Sequence, residues 1–289
     1  MIAVTGGSGR LGRAVLTELR CHGYQTANLD PTSDGGLSDH YVRGDILDGE
    51  RVASWLKGAD ALIHLAAIPA PGISSADWLT QVNVLGTVRV LAAAAAAGIA
   101  HVVLASSTSA LGLAWGRLFR PHYLPIDEAH PLWPEDEYGV SKQVNELYGQ
   151  AFARRYGQSI VMLRFPTIVD AKMVPGFVAH LRQNPEHAAR LLWSYVDVAD
   201  AARACRLAIT ATNRDARAYY ITASDHLAGS QLEQGLHAYF PTVPHTPAFR
   251  WDGSLISSSA AQAALGYVAE HGWGKQDIGG IGESQDFQA

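Results

Sequence analysis

Ile2-Ala3-Val4-Thr5-Gly6-Gly7-Ser8-Gly9-Arg10-Leu11-Gly12 is the stretch that decides the fold. It opens on an apolar run typical of a buried strand, and the residues after it carry apolar side chains at helical spacing. Glycines at positions 6, 9 and 12 permit a tight turn and let backbone N–H groups approach a phosphate at the positive end of a helix. A strand, a glycine loop and a helix in this order predict the first unit of a parallel α/β sheet that binds a dinucleotide.

Length and composition set the outer limits of the interpretation. The 289 residues fit one large domain, and a net charge of −5 without any basic run argues against a nucleic-acid partner. No secretory signal is visible at the start, and the longest apolar candidate, residues 88–98, is an alanine-rich helix. We therefore expect a soluble cytoplasmic protein without membrane contact. Cys21 and Cys205 are expected to be reduced, and the twelve histidines show no metal-ligand spacing, so no metal is expected.

Two carboxylates follow the next predicted strands. The second strand, residues 25–29, ends in Asp30, about 20 residues beyond the glycines, where a carboxylate accepts a hydrogen bond from a ribose 2′-OH and repels a 2′-phosphate. Asp30 thus favours NAD over NADP, the alternative being a turn aspartate before Pro31. Asp45 follows the third short strand and reaches an adenine amino group or only caps a helix.

Polar residues gather where later strands end. A fourth strand at 61–67 contains His64, which is interpreted as a packed residue, and Asn83 opens the alanine-rich helix. A fifth strand at 101–105 delivers Ser106 and the three hydroxyl residues after it to the carboxyl edge of the sheet. Ligands bind at this edge in open α/β folds.

Tyr138 and Lys142 stand four residues apart, so on a helix their side chains share one face. A cation near a phenol favours the phenolate and lowers the phenol pKa, which suits proton transfer. The alternative is a surface tyrosine beside a solvated lysine. Apolar residues at 140, 144, 147, 151 and 152 recur at helical spacing, so we expect the buried face of this helix to differ from the Tyr138–Lys142 face.

Taken together, these residues resemble the extended short-chain dehydrogenase/reductase family of NAD-dependent sugar epimerases, dehydratases and dehydrogenases. The matching pieces are Thr5-Gly6-x-x-Gly9-x-x-Gly12, Asp30, Asp45-Ile46, His64-Leu65-Ala66-Ala67, Asn83, Ser106-Ser107, Tyr138-x-x-x-Lys142 and Leu163-Arg164-Phe165. The resemblance implies a Rossmann-type doubly wound parallel sheet with a small C-terminal substrate-binding region. It places an NAD-binding core with the catalytic helix in residues 1–165. Residues 166–289 would complete the sheet and form a substrate lobe.

The resemblance also implies roles for individual residues. Tyr138 would be the acid/base, and Lys142 would lower its pKa and hold the nicotinamide ribose. Ser107, or Thr108 in a register shifted by one, would polarise the carbonyl, and Asn83 would line the proton path. The implied NAD contacts are Gly6, Gly9, Arg10, Leu11, Gly12, Asp30, Asp45, Ile46, Leu65, Ala66, Ala67, Asn83, Tyr138, Lys142 and Phe165. The implied substrate contacts are Thr108, Ser109, Thr167 and Trp193. A homodimer through the alanine-rich and catalytic helices is expected as well.

Departures from the family pattern bear on the substrate. Thr108-Ser109 stand where dehydratases carry Asp-Glu, and Trp193 stands where nucleotide-sugar enzymes carry the arginine that holds the pyrophosphate. Residues 169–193 are short, with one helix expected near 177–183. These features resemble the uronate dehydrogenase branch, with cations at 117, 120, 122, 164 and 190 as candidate carboxylate contacts. Trp115, Trp133 and Trp193 are candidates for stacking on a sugar ring, the alternative being core packing. A nucleotide-sugar 4-epimerase and a non-catalytic NAD sensor remain the alternatives.

Overall fold

A computed structural model of the chain describes residues 1–117, 119–211 and 216–274. Its strands are β1 (Ile2–Thr5), β2 (Thr26–Asp30), β3 (His40–Arg43), β4 (Ala61–His64), β5 (His101–Ser107), β6 (Ser159–Phe165), β7 (Thr167–Val169), β8 (Tyr195–Asp197) and β9 (Arg217–Tyr220). Seven of them form one parallel sheet in the order β3-β2-β1-β4-β5-β6-β9, and β7 pairs with β8. This arrangement confirms the predicted doubly wound parallel sheet.

Helices connect these strands. They are α1 (Arg10–Cys21), α2 (Gly49–Trp55), α3 (Ala76–Thr80), α4 (Thr87–Ala96), α5 (Glu137–Tyr156), α6 (Val174–Gln183), α7 (Pro185–Arg190), α8 (Val198–Ile209), α9 (Leu232–Tyr239) and α10 (Ser259–Leu265). A π-helical turn over Gln81–Gly86 joins α3 to α4. The single helix expected near 177–183 is therefore a pair, because Asn184 leaves the helical conformation and Pro185 starts α7.

The core has two apolar layers, one on each face of the sheet. Alternation along β1 sends Ile2 and Val4 toward α1 and α8, whereas Ala3 packs toward α2 and α4. Residues after 165 contribute to the central sheet and its helices, since α8 packs on α1 and β9 pairs with β6. The same part of the chain also builds a small lobe from α6, α7 and α9, with its own apolar cluster.

The order of the strands reverses between β1 and β4, and this is where the loops separate to leave room for a ligand. Thr5 pairs with His64 at the ends of these two strands. Gly6, with φ of +72°, follows directly, and a Cβ there would meet the Ala66 backbone nitrogen at 2.7 Å. Glycine is thus required where the two loops come close together.

The stretch Ala76–Ala96 is long and apolar enough to cross a membrane by length and composition. In the structure this stretch packs against α2 and α5, and Val90, Leu91 and Ala94 of α4 are fully buried. Packing of this kind is typical of a core helix in a globular domain.

Helix α5 does not bury the face that the sequence pattern predicted. Val140 and Leu147 are 41% and 58% exposed, and Ala151 is exposed as well. The buried face instead carries small and polar residues, among them Ser141, Lys142, Asn145, Glu146 and Gly149. The expectation was wrong because the polar face is held in the protein by hydrogen bonds, which leaves the apolar stripe outside.

Gly12 should be essential for stability. An added Cβ would overlap with the Gly6 carbonyl oxygen and with the Gly7 backbone, neither of which can move away. We expect Gly12→Ala to lower the free energy of unfolding by about 1–3 kcal/mol, measured by urea denaturation. Gly9→Ala is the matched control, because its Cβ would lie 3.4 Å from the nearest atom and should cost less than about 1 kcal/mol. Equal losses in the two variants would contradict this packing argument.

Candidate active site

A cavity of about 910 Å³ opens at the carboxyl edge of the sheet, next to the reversal of strand order. Most of the predicted site residues line it: Gly6, Gly9, Arg10, Leu11, Gly12, Asp30, Asp45, Ile46, Leu65, Ala66, Ala67, Ser107, Thr108, Ser109, Tyr138, Lys142, Phe165 and Thr167. Asn83 and Trp193 are not among the lining residues. The cavity thus brings the glycine loop, both carboxylates and the Tyr138–Lys142 pair to one place.

The glycine loop fits the pyrophosphate of a dinucleotide. Gly9 precedes the first residue of α1, and the space beside its Cα holds no atom within 3.4 Å. Asp30 fixes the loop from the next strand, since its carboxylate accepts hydrogen bonds from the backbone N–H groups of Ser8 at 3.2 Å and Thr32 at 2.8 Å. The loop, the helix and the carboxylate have the arrangement that binds NAD in this type of sheet.

The structure contradicts one of the two alternatives for Asp45, the helix cap. Its carboxylate accepts from the Leu47 N–H at 2.9 Å, whereas Asp48 caps α2 by accepting from Arg51 N–H. Asp45 also lines the cavity together with Ile46, and its contact with an adenine stays a prediction. Capping of α2 by Asp45 is therefore ruled out.

Tyr138 stands in the first turn of α5, whose start is fixed by Asp136. The Asp136 carboxylate caps the helix by accepting from the Gly139 N–H at 2.8 Å. Burial of the phenol raises the pKa of Tyr138 to about 12, while a hydrogen bond with the Ser107 hydroxyl acts in the opposite direction. Ser107 itself is positioned at the end of β5, where its oxygen accepts from the Ser109 N–H at 3.0 Å. The two hydroxyl groups are therefore neighbours in the cavity.

Lys142 is buried one turn further along α5. Its ammonium donates to the Ala105 carbonyl oxygen at 2.9 Å and lies 5.5 Å from the centre of the Tyr138 ring. Burial lowers the pKa of Lys142 to about 8, and the nearby Glu146 carboxylate works against that shift. The lowering of the Tyr138 pKa that the family resemblance implies for Lys142 stays a prediction, since the ammonium donates to a β5 carbonyl here. The Ser107 hydroxyl lowers the phenol pKa against the effect of burial.

A buried ion pair lies behind the lysine. Glu146, one turn beyond Lys142, accepts from the Arg164 guanidinium at 2.9 and 2.7 Å and from the Ser106 hydroxyl at 2.6 Å. Arg164 also donates to the Tyr220 hydroxyl at 3.1 Å. These contacts tie α5 to β5, β6 and β9. Arg164 is thus a structural cation and not the substrate contact that the sequence had offered.

Asn83 lies behind the cavity wall and does not contact the cavity directly. Its amide accepts from the Ile68 N–H at 2.8 Å and donates to the Ile68 carbonyl at 3.0 Å, and Ile68 lines the cavity. The prediction that Asn83 contacts the cofactor directly is therefore corrected: Asn83 supports the loop at Ile68, which lines the cavity. His64 is fully enclosed between Thr5 and Thr87, and burial lowers its pKa to about 3, in agreement with a packed residue.

The prediction that Trp193 contacts substrate is wrong. Its indole is 7% exposed and lies beneath α9, where a Cβ on Gly235 would meet the ring at 2.6 Å. The cavity is lined instead by Trp115, Phe177, His187 and Leu191. Of these, the sequence offered only Trp115, as a candidate for stacking on a sugar ring. A helix over 174–183 places Phe177 on its inner side, but the sequence carries no sign that His187 shares a cavity with Trp115.

Comparisons with known proteins agree with this geometry. A sequence model of the NAD dependent epimerase/dehydratase family matches residues 2–222. L-arabinose 1-dehydrogenase (NAD(P)(+)) of Haloferax volcanii is 31% identical over 60% of this chain and 69% of its own length. UDP-glucose 4-epimerase of Rhizobium meliloti is 32% identical over 66% of this chain, but the chain spans only 58% of that relative.

Solved structures give the same result for the fold and the cofactor. A short-chain dehydrogenase/reductase superfamily protein from Agrobacterium tumefaciens, solved with bound NAD, superposes with a TM-score of 0.73. It is 26% identical, and the alignment covers 94% of this chain and 93% of the other. The family model matches most of the chain, and the glycine loop, Asp30 and the Tyr138–Lys142 helix build the cavity. The chain therefore belongs to the NAD-dependent epimerase/dehydratase family of short-chain dehydrogenases/reductases.

Proposed function

We propose that this enzyme is an NAD-dependent dehydrogenase that oxidises a hydroxyl-bearing carbon of a small sugar-like or polyol-like substrate and releases NADH. The observation that carries the proposal is the convergence of Ser107, Tyr138 and Lys142 on the cavity that holds the glycine loop. Trp193, buried where nucleotide-sugar enzymes carry an arginine, supports a small substrate over a nucleotide sugar.

The residues of the cavity have separate tasks in this reaction. NAD, when bound, accepts the hydride from the substrate carbon. Tyr138 takes the proton that leaves the substrate hydroxyl, and the Ser107 hydroxyl donates a hydrogen bond to the oxygen as it becomes a carbonyl. Lys142, held by the Ala105 carbonyl, supplies the positive charge that favours the phenolate. The substrate thus loses one hydride and one proton, and a carbonyl forms.

A nucleotide-sugar 4-epimerase is the second candidate, and relatives such as the Rhizobium meliloti enzyme favour it. An epimerase uses the same acid/base group but returns the hydride to the substrate in each turnover. Net formation of NADH separates the two candidates. A sensor that binds NAD without turnover is the least favoured reading, because it needs none of the three catalytic groups.

Tyr138→Phe tests the proposed chemistry. We expect the variant to lose about 10²–10⁴-fold in kcat while binding NAD as the parent does, since the phenol transfers a proton and phenylalanine keeps the ring. The measurement is NADH absorbance with a panel of free aldoses, uronates, polyols and UDP-sugars, alongside NAD titration by fluorescence. Isomerisation of a UDP-sugar without NADH release would support the epimerase instead, and turnover unaffected by the substitution would sink both.

Glu146 is placed to control the charge on Lys142. Its carboxylate raises the pKa of Lys142 against the lowering effect of burial. In Glu146→Gln the pKa of Lys142 should fall below about 8, so that the ammonium is lost at a lower pH. We therefore expect the alkaline limb of the kcat/KM profile to move to lower pH.

Ser106→Ala is the matched control for that experiment. It removes the hydrogen bond to Glu146 but keeps the carboxylate, so the limb should stay in place. The role given to Glu146 is incorrect if both variants shift the limb equally, or if neither does. Unfolding curves of the two variants separate a change in titration from a loss of stability.

We also propose that the enzyme forms a homodimer through the exposed apolar stripe of α5 and the neighbouring helix. Leu85, Val140, Leu147 and Tyr148 are between 38% and 58% exposed on helices that pack side by side. Exposed apolar residues gathered on adjacent helices are typical of a protein interface. A cytoplasmic location stays a prediction.

Leu147→Asp tests the proposed interface. A charge in the centre of the stripe should halve the mass measured by light scattering at micromolar concentration, because burying an unpaired carboxylate is unfavourable. Trp133→Asp is the control, since this residue is 71% exposed and lies outside the two helices. A parent protein that is already monomeric would refute the dimer.

A further inference from the structure

The small lobe and the loop before it give the cavity four large side chains, here called the lobe wall. They are Trp115, Phe177, His187 and Leu191. Phe177 belongs to α6 and His187 to α7, and Leu191 directly follows α7. The Trp115 ring lies against the His187 ring with their centres 6.3 Å apart. These residues come from other elements than the dinucleotide loops, so they are free to contact the substrate.

Positive side-chain charge in the cavity comes from α1 and α5 and not from the lobe wall. Among the described residues, Arg10 and Lys142 are the only arginine or lysine side chains that line it. Arg10 belongs to the glycine loop and donates to the Ile168 carbonyl at 3.3 Å. Lys142 donates to the Ala105 carbonyl beside Tyr138. Neither cation belongs to the lobe wall.

Arg190, the last residue of α7, is held by contacts outside the lining of the cavity. Arg190 pairs with Glu186 and donates to the Gly116 carbonyl at 3.3 Å, and it does not line the cavity. Burial lowers the pKa of His187, and the nearby His180 and Arg190 act in the same direction, which favours the neutral imidazole. The lobe wall therefore offers apolar surface and one uncharged polar group.

A wall of this kind discriminates by charge. A carboxylate or phosphate placed against it would lose water and gain no counter-charge, which is unfavourable. A ring with an apolar face would instead bury surface against the indole and the aliphatic side chains. The same cavity thus accepts a charged cofactor on one side and disfavours a charged substrate on the other.

We infer that the substrate is an uncharged cyclic alcohol or hemiacetal, whose ring rests on Trp115, Phe177 and Leu191 and whose remaining polar group meets His187. This inference rests on the proposed dehydrogenase and narrows it, because it disfavours uronates, sugar phosphates and nucleotide sugars. It also makes Leu191 and His187 specificity-determining residues.

Matched pairs that differ by one negative charge test the inference. Suitable pairs are D-galactose with D-galacturonate, and cyclohexanol with trans-4-hydroxycyclohexanecarboxylate. Binding is measured by calorimetry on the NAD-loaded Tyr138→Phe variant, which holds ligands without turnover. We expect the neutral member of at least one pair to bind at least about tenfold tighter than its anion.

A variant of the wall adds a second arm. Leu191→Arg supplies the missing cation and should shift the preference toward the anion by at least about tenfold, whereas Leu191→Gln, of similar length and uncharged, should not. An unchanged affinity for NAD and an unchanged melting temperature show that both variants fold.

The outcomes separate this inference from the proposed function. If the protein with Leu191 unchanged binds the anions more tightly, or binds neither neutral compound, the inferred substrate class is wrong. The proposed dehydrogenase, which the NADH assay tests, would still stand. If no NADH formation that depends on Tyr138 is found, the proposed dehydrogenase is wrong, but a measured preference for neutral ligands would still stand. If Leu191→Arg has the same charge preference as the unchanged protein, the role given to the lobe wall in selecting the substrate is also wrong.

Discussion

The buried ion pair between Glu146 and Arg164 is the interaction on which the geometry of the active site depends. Both side chains are less than 8% exposed and share two hydrogen bonds between α5 and β6. Breaking such a pair by removing one partner leaves a buried charge and costs about 3–5 kcal/mol. The pair therefore holds the one helix that carries Tyr138 and Lys142 in a fixed position on the sheet. It also places a carboxylate one turn from Lys142, so that the contact that fixes the helix also tunes its ammonium.

Helix α5 is organised in the opposite way to most surface helices. Its polar face is inside, satisfied by β5, β6 and the π-helical turn, and its apolar stripe is outside. The inside is polar because the reactive groups need fixed partners, and Gly149 lets the helix lie close to Met162 and Leu104. Val140 and Leu147 are therefore not used for packing against the sheet. This stripe is the surface through which we propose that a second copy of the chain binds.

Local patterns carried most of what could be predicted. The glycine loop, Asp30 and the Tyr138–Lys142 spacing depend on turns and helix geometry within a few residues, and all of them line the cavity. The prediction that Trp193 contacts substrate was wrong because the position of this residue depends on α9, which follows about 40 residues later in the chain. Phe177, His187 and Leu191 of the lobe wall were not predicted for the same reason, since a contact such as that of His187 with Trp115 forms only in the folded lobe. The stripe of α5 was misassigned because periodicity shows that a face is apolar but not whether another element covers it.

The charges of the cavity match the charges of what it has to hold. A dinucleotide brings a negative pyrophosphate, and the glycine loop answers with backbone N–H groups, a helix N-terminus and the guanidinium of Arg10. Lys142 is the described lysine or arginine that lines the cavity beside Tyr138, so in the proposed reaction its ammonium is the fixed partner of the negative charge on the phenol. A second negative charge on the substrate would compete for that ammonium and weaken its hold on the phenolate. In the proposed reaction an uncharged lobe wall leaves Lys142 without a competing anion, so that substrate selection and proton transfer would depend on the same distribution of charge.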